Sequence, residues 1–296
     1  MKNELNELLE KYKFKVDSYK KIGNVSVIST DNGKFVCKKK CISSKNNINN
    51  YLKSKQFMNF LPLHNDERDE YEISPYIESI NMSDEDKATN IIYLMSMLHN
   101  KTTFYKTVVI DEIKEFYEEK SEDINNINNY YDTMRWIIEE DPYPSPSSYL
   151  LLRCIGLIYR SIDIAKKNLD SWYELMKEKK NQRVVMNHNN LSLEHIVVDS
   201  DIYFISWEHS KIDSPIYDFL NFYKNNYLEV DFSHLYDIYN LKYKLAKEER
   251  HLLFTLLSIP TKIKLESYEI NKTKEVYKKI RYLDSVIKLI SEKEFE

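Results

Sequence analysis

The sequence predicts an α+β chain of two unequal lobes: a small mixed lobe on an antiparallel sheet, then a large, mainly helical lobe. Three observations predict it. The 296 residues exceed the usual size of one domain, so either one large domain or two unequal lobes is expected. Short β-rich runs crowd the stretch from Lys13 to Lys40, and helical periodicity dominates from Lys87 to Lys180. The first lobe is expected over residues 1–77 and the second over residues 78–296.

Each element follows from a local signal. Met1 to Tyr12 carries Glu4, Glu7 and Glu10 between leucines, which suits an amphipathic helix and lacks the apolar centre of an export signal. Val25 to Ile28 and Phe35 to Cys37 flank the turn residues Asp31-Asn32-Gly33, so they read as a hairpin. Asn46 to Leu61 spaces Ile48, Leu52, Phe57 and Phe60 helically before Pro62. Tyr71 to Glu78 is an extended run interrupted by Pro75, as in an edge strand that enters a linker. Ser83, followed by Glu85 and Asp86, marks a helix start. Helices are predicted over Lys87 to Asn100, Ile110 to Glu140 and Ser147 to Lys180, punctuated by Pro142, Pro144 and Pro146. Their aromatic positions, Tyr130, Trp136, Tyr149, Tyr159 and Trp172, are assigned to packing. Val184 to Met186 precedes a second hairpin, Ile196 to Val198 and Tyr203 to Ile205, turned by Asp199-Ser200-Asp201. Leu252, Leu253, Leu256, Leu257 and Ile259 form a helical apolar face that stops at Pro260.

Composition excludes several classes. A formal charge of −4 argues against a nucleic-acid binder that works by neutralising phosphates. Lys45, Lys53 and Lys55 read as a solvated face. No apolar run approaches the ~20 residues that cross a bilayer, so membrane insertion is not expected. Cys37, Cys41 and Cys154 lack framework spacing, which points to a reducing cytoplasm. Only Gly23, Gly33 and Gly156 occur, too few and too scattered for a glycine-rich phosphate loop.

Three segments carry chemistry. His188-Asn189-Asn190-Leu191-Ser192-Leu193-Glu194-His195-Ile196-Val197 resembles the catalytic loop H-G-D-L-H-P-G-N-I-L of aminoglycoside phosphotransferases, choline kinases and their relatives. Ile205-Ser206-Trp207-Glu208 is similar to the family's metal-binding I-D-W-E, at compatible spacing across the 184–208 hairpin region. Pro215-Ile216-Tyr217-Asp218-Phe219 resembles P-x-Y-D-L, and Leu98-His99 resembles the end of the family's L-x-x-x-H helix. Glu248-Glu249 with Leu252 to Lys264 resembles the spore-coat-associated branch. The resemblance implies a bilobal, protein-kinase-like fold.

It also implies roles that this chain fills incompletely. In the family the loop aspartate takes or orients the acceptor proton, and an asparagine and a second aspartate hold Mg²⁺ on the nucleotide phosphates. Here Asn190 stands at the base position, and a neutral amide cannot take that proton. His195 and Ser206 stand at the metal positions, and neither is the hard anionic oxygen that magnesium prefers. Lys38 matches the nucleotide-binding lysine, with Lys39 as the rival register. The family lysine pairs with a glutamate of the next helix, yet no Asp or Glu occurs between Asp31 and Asp66. Glu208 follows Ser206 by two positions, on the same side of a continuing strand, and is the candidate replacement metal ligand, whereas the loop does not bring His188, Glu194 and His195 together as a zinc site. His188 and Asp218 match scaffold positions, with Asp218 expected to accept backbone hydrogen bonds from the loop, or to cap the helix that starts near Phe219.

Two functions follow. The first is a pseudokinase that acts as a cytoplasmic binding, assembly or regulatory protein, its partner a protein or a small molecule in the interlobe cleft, with a link to sporulation. The alternative is a small-molecule phosphotransferase that uses ATP and magnesium on an alcohol acceptor through an atypical catalytic set. The losses remove several of the effects that together supply ~8 kcal/mol or more of catalysis, which favours the first.

Overall fold

A computed structural model describes residues 7, 9–23, 25–39, 48–63, 69–263 and 268–293. Most of the Met1 to Tyr12 helix expectation, with Cys41 and Lys45, lies outside them. The first lobe is a four-stranded antiparallel sheet in the order β1 (Val16–Ile22), β2 (Val25–Thr30), β3 (Gly33–Lys39), β4 (Tyr71–Pro75). Thr30 pairs with Gly33 across the two-residue turn, where Thr30 Oγ1 donates to Gly33 O at 2.9 Å and Gly33 takes φ +118. A positive φ suits glycine at no steric cost, which is why the turn closes there. Alternation sends Ile28, Phe35, Cys37, Tyr71 and Ile73 to one face, where they form a small core with Leu9. Burial raises the Cys37 thiol pKa to about 12. That thiol is an inert packing group at neutral pH. The other face turns Val27, Val36 and Lys38 toward the second lobe.

Helix α1 (Ile48–Ser54) is shorter than the predicted run to Leu61. Gln56 adopts φ +58, with Gln56 N–H donating to Lys53 O at 2.9 Å and Phe57 N–H to Leu52 O at 3.0 Å. That pair of bonds satisfies the last carbonyls and stops the helix. Leu52, Phe57 and Phe60 then join the core of the large lobe rather than that of the small sheet.

The chain leaves the sheet at Tyr76, whose N–H donates to Lys34 O at 2.9 Å, and reaches the second lobe at Ile80, whose N–H donates to Val198 O at 2.8 Å. There follow α2 (Asp84–Thr102), β5 (Phe104–Thr107), α3 (Ile110–Glu139), α4 (Pro146–Lys177), β6 (Asn181–Asn187), β7 (Ile196–Val198), β8 (Ile202–Phe204), β9 (Lys211–Asp213), α5 (Ile216–Asn226), α6 (Phe232–Lys242), α7 (Lys247–Ser258) and α8 (Glu269–Lys293). Ser83 caps α2 by accepting from Asp86 N–H at 3.1 Å. Helix α4 packs against α3, α7 and α8, so Ile158, Ile162, Leu169 and Trp172 are fully enclosed. Trp172 therefore packs as expected, whereas Trp136 and Tyr149 are exposed by 62% and 54% and do not. Both lie on the solvent side of their helices, since Ile138 and Leu151 at the same ends are buried in the core. Strands β5 and β9 flank β6 in an antiparallel sheet that local pattern had not indicated. Among the described residues no helix is long and apolar enough to cross a membrane.

Candidate functional site

Strand β6 and the β7–β8 hairpin position the His188–His195 loop at the boundary between the lobes. Its anchor is Asp218, fully buried in the first turn of α5. The Asp218 carboxylate accepts from His188 N–H at 2.9 Å and from Asn189 N–H at 2.6 Å, and lies 3.2 Å from His99 Nε2. His99 Nδ1 in turn meets Tyr239 Oη at 2.7 Å. Asp218 is thus a loop anchor. The capping alternative is corrected, because Pro215 precedes the first turn of α5 and the carboxylate faces the loop instead. Asn189 replaces the motif glycine at φ +60, a region asparagine tolerates better than most residues.

His188 is fully buried, and its Nε2 donates to Ile205 O at 2.8 Å, tying the loop to the segment that carries Ser206. A carbonyl can only accept, so Nε2 bears the proton and Nδ1 is the unprotonated nitrogen. Nδ1 is buried without a hydrogen-bond partner among the described residues. Burial, against the pull of the Asp218 charge, lowers the His188 pKa to about 4. The ring rests on Trp207, 4.6 Å between centroids, and on Phe204 at 5.2 Å.

Two asparagines that sequence reasoning had not singled out also hold the loop. Asn221 Nδ2 donates to Asn189 Oδ1 and Asn225 Nδ2 to Leu191 O, each at 2.9 Å. Their spacing of four on α5 was the available signal, since it places both on one helix face.

The residues at the three reactive positions do not assemble a metal centre. Asn190 is half-buried, and its backbone oxygen accepts from His195 Nδ1 in a short hydrogen bond. Ser192 Oγ lies 3.1 Å from the same nitrogen. His195 therefore closes the loop on itself. Ser206 sits at φ +68, a left-handed conformation uncommon for serine and more readily taken by aspartate or asparagine. Among the described residues no three His, Cys, Asp or Glu side chains group to hold a metal ion. His188, Glu194 and His195 do not converge on a common point, since His188 is enclosed and His195 Nδ1 faces the loop backbone.

Across the cleft, Lys38 Nζ donates to Glu208 Oε1 in a short ion pair that joins the two lobes. The expectation that Lys38 lacks an acidic partner is corrected: the partner comes from the other lobe rather than from the following helix. Desolvation raises the Glu208 pKa, but hydrogen bonds from Lys38 and its own backbone outweigh it and hold the carboxyl below its ordinary value. Lys39 points away, 3.9 Å from exposed Glu70, so Lys38 is the lysine in register with the cleft. Around the ion pair lies a cavity of about 410 Å³, walled by Val27, Val36, Tyr76, Phe204, Ser206 and Trp207 among others. Its size falls within the range of about 300–1,000 Å³ usual for small-molecule pockets.

No family model matches the chain, and no curated protein sequence matches it. Solved structures do. An aminoglycoside phosphotransferase from Alicyclobacillus acidocaldarius superposes with a TM-score of 0.68 over 98% of this chain and 96% of its own, at 11% identity. A spectinomycin phosphotransferase with bound AMP gives 0.55 over 96% and 98%, at 14% identity. A choline kinase from Streptococcus pneumoniae gives 0.51 over 95% and 98%, also at 14% identity. The chain has the bilobal fold of aminoglycoside phosphotransferases and choline kinases, a small antiparallel-sheet lobe on a large helical one.

Proposed function

We propose that this chain is a kinase-fold protein that works by binding rather than by phosphoryl transfer, with the interlobe cleft as its ligand site. The observation that carries this reading is the Lys38–Glu208 ion pair standing in the cleft beside Asn190, His195 and Ser206, none of which supplies a carboxylate. Phosphoryl transfer rests on positioned charge: metal ions that neutralise the phosphates and a base that orients the acceptor. Of the two carboxylates on the cavity wall, Glu208, two residues from Ser206, is paired with Lys38, and Glu72 stands across the strand pair from the same lysine. A nucleotide entering the cleft would meet a lysine already neutralised and a carboxylate that repels its phosphates. Fold alone does not determine activity, so the residues decide. The C-terminal resemblance to the spore-coat-associated branch makes sporulation the setting in which a binding or assembly role is to be sought.

The second reading, an ATP-dependent small-molecule phosphotransferase, is favoured by one feature: Glu208 lines the same cavity as Lys38 and Ser206. It requires the ion pair to open and Glu208 to turn to a metal. The spectinomycin phosphotransferase that shares the fold carries AMP, so adenine nucleotides are the ligands to test. Calorimetric titration of the purified chain with ATP, with and without Mg²⁺, separates the readings. The binding reading predicts an ATP affinity that magnesium leaves unchanged. A gain of about tenfold or more on adding Mg²⁺, about 1.4 kcal/mol, would favour the phosphotransferase. Ser206→Asp suits the left-handed backbone and restores a hard oxygen ligand, so that variant is expected to acquire the magnesium dependence.

A further inference from the structure

A second cavity, of about 250 Å³, lies in the helical lobe and shares no lining residue with the interlobe cavity. It opens between α3, α4, α5 and α8, with Ile259 to Ile263 along one side. Its walls are Ile158, Ile263, Leu283 and the rings of Tyr131, Tyr227 and Tyr282. Each of these phenols is already committed to a backbone carbonyl. Tyr131 Oη donates to Thr261 O at 2.7 Å, Tyr227 Oη to Lys278 O at 3.1 Å and Tyr282 Oη to Leu257 O at 3.0 Å. The rings therefore present apolar surface to the cavity and no spare hydroxyl proton.

Two lysines on this wall, Lys224 and Lys278, have no ion pair or side-chain hydrogen bond among the described residues. Lys224, on α5, lines the cavity, and among the described residues its ammonium makes no ion pair or hydrogen bond. The side chain is exposed by area, yet it sits in a concave wall where surrounding protein displaces water. Desolvation alone acts on its charge and lowers its pKa. Lys279, also on the rim, is occupied by contrast: it donates to Lys262 O and lies 3.2 Å from Glu275. An unpaired ammonium at the mouth of an apolar, ring-lined cavity offers an anionic group a partner beside apolar surface.

We propose that this cavity binds a small amphipathic anion, a single carboxylate on an apolar body, with the carboxylate paired to Lys224 and the body laid against Tyr131, Tyr227 and Tyr282. The volume falls just below the usual range for drug-sized ligands, so the body is short, about eight carbons. The apolar ring walls offer a polyphosphate no donors beyond the lysines at the rim, which favours a ligand with one anionic group and an apolar body. This site is separate from the interlobe cleft and does not depend on what that cleft binds.

The test uses octanoate as the probe and the full chain. Isothermal titration is expected to show saturable binding of one octanoate per chain, at least about tenfold tighter than octanol, the scale of one charge-assisted hydrogen bond. In Lys224→Met, which keeps the length of the stem, octanoate should weaken by about tenfold while octanol is unchanged. An unshifted melting temperature without ligand shows that this variant is folded. ATP should not displace the octanoate. The proposal is overturned if octanoate does not saturate the wild-type chain, binds no tighter than octanol, binds Lys224→Met equally well, or is competed away by ATP.

Discussion

Asp218→Ala is expected to destabilise the chain by about 3–5 kcal/mol, since it strips partners from several buried groups at once. The carboxylate accepts from two consecutive backbone N–H groups of the loop and faces the buried ring of His99. Alanine leaves a cavity there with no acceptor. His188 N–H is enclosed, so water cannot replace the lost bond without a change of packing. Asp218→Asn keeps one acceptor oxygen and should lose less. Urea unfolding would show the loss as a lower midpoint at unchanged slope, with a melting temperature lower by on the order of 10 °C. A loss below about 1 kcal/mol would mean that the loop is held by other contacts, Asn221 and Asn225 first among them.

The second large effect is in pH. His188 has an ordinary pKa near 6.5 when unfolded and about 4 when folded, because the neutral ring is buried. A depressed histidine pKa means that between these values the unfolded chain binds the extra proton and the folded chain does not. Stability is therefore unaffected above about pH 6.5 and falls as the pH drops toward 4. The slope approaches 1.36 kcal/mol per pH unit, so the total is on the order of 3 kcal/mol. Other groups titrate over the same range, so the measurement is a difference between wild type and His188→Gln, whose amide keeps an N–H for Ile205 O. The stability advantage of wild type should shrink steadily below pH 6.5. An advantage that stays constant to pH 4 would show that His188 is not held neutral by the fold.

Much of this site was readable from the motif resemblance and from strand alternation. Alternation along Phe35, Val36, Cys37 and Lys38 is enough to put Lys38 opposite the small core, and the structure shows it on the cleft face. The Pro215-Ile216-Tyr217-Asp218 match pointed to a carboxylate that anchors the loop, and its two backbone bonds do so. What was not legible depends on tertiary closure. The partner of Lys38 lies 170 residues away on a short 3₁₀ turn, so no search of the neighbouring helix could find it. The end of α1 rests on a left-handed Gln56, a residue that carries no turn signature. Strands β5 and β9 are short and largely exposed, and they exist because β6 offers both of its edges. Asn221 and Asn225 read as ordinary polar helix residues until the loop is folded against them.

The most direct test of the central claim is ADP formation from ATP and Mg²⁺ by the purified chain, measured with and without aminoglycoside, choline and sugar alcohols as acceptors. A cleft with a neutral amide at Asn190, a loop-bound His195, a hydroxyl at Ser206 and Glu208 spent on Lys38 predicts no ADP above the protein-free control. Magnesium-dependent ADP formation that is lost in Asn190→Ala would contradict the account, because it would require Asn190 to serve a reaction for which these residues provide neither base nor metal ligand.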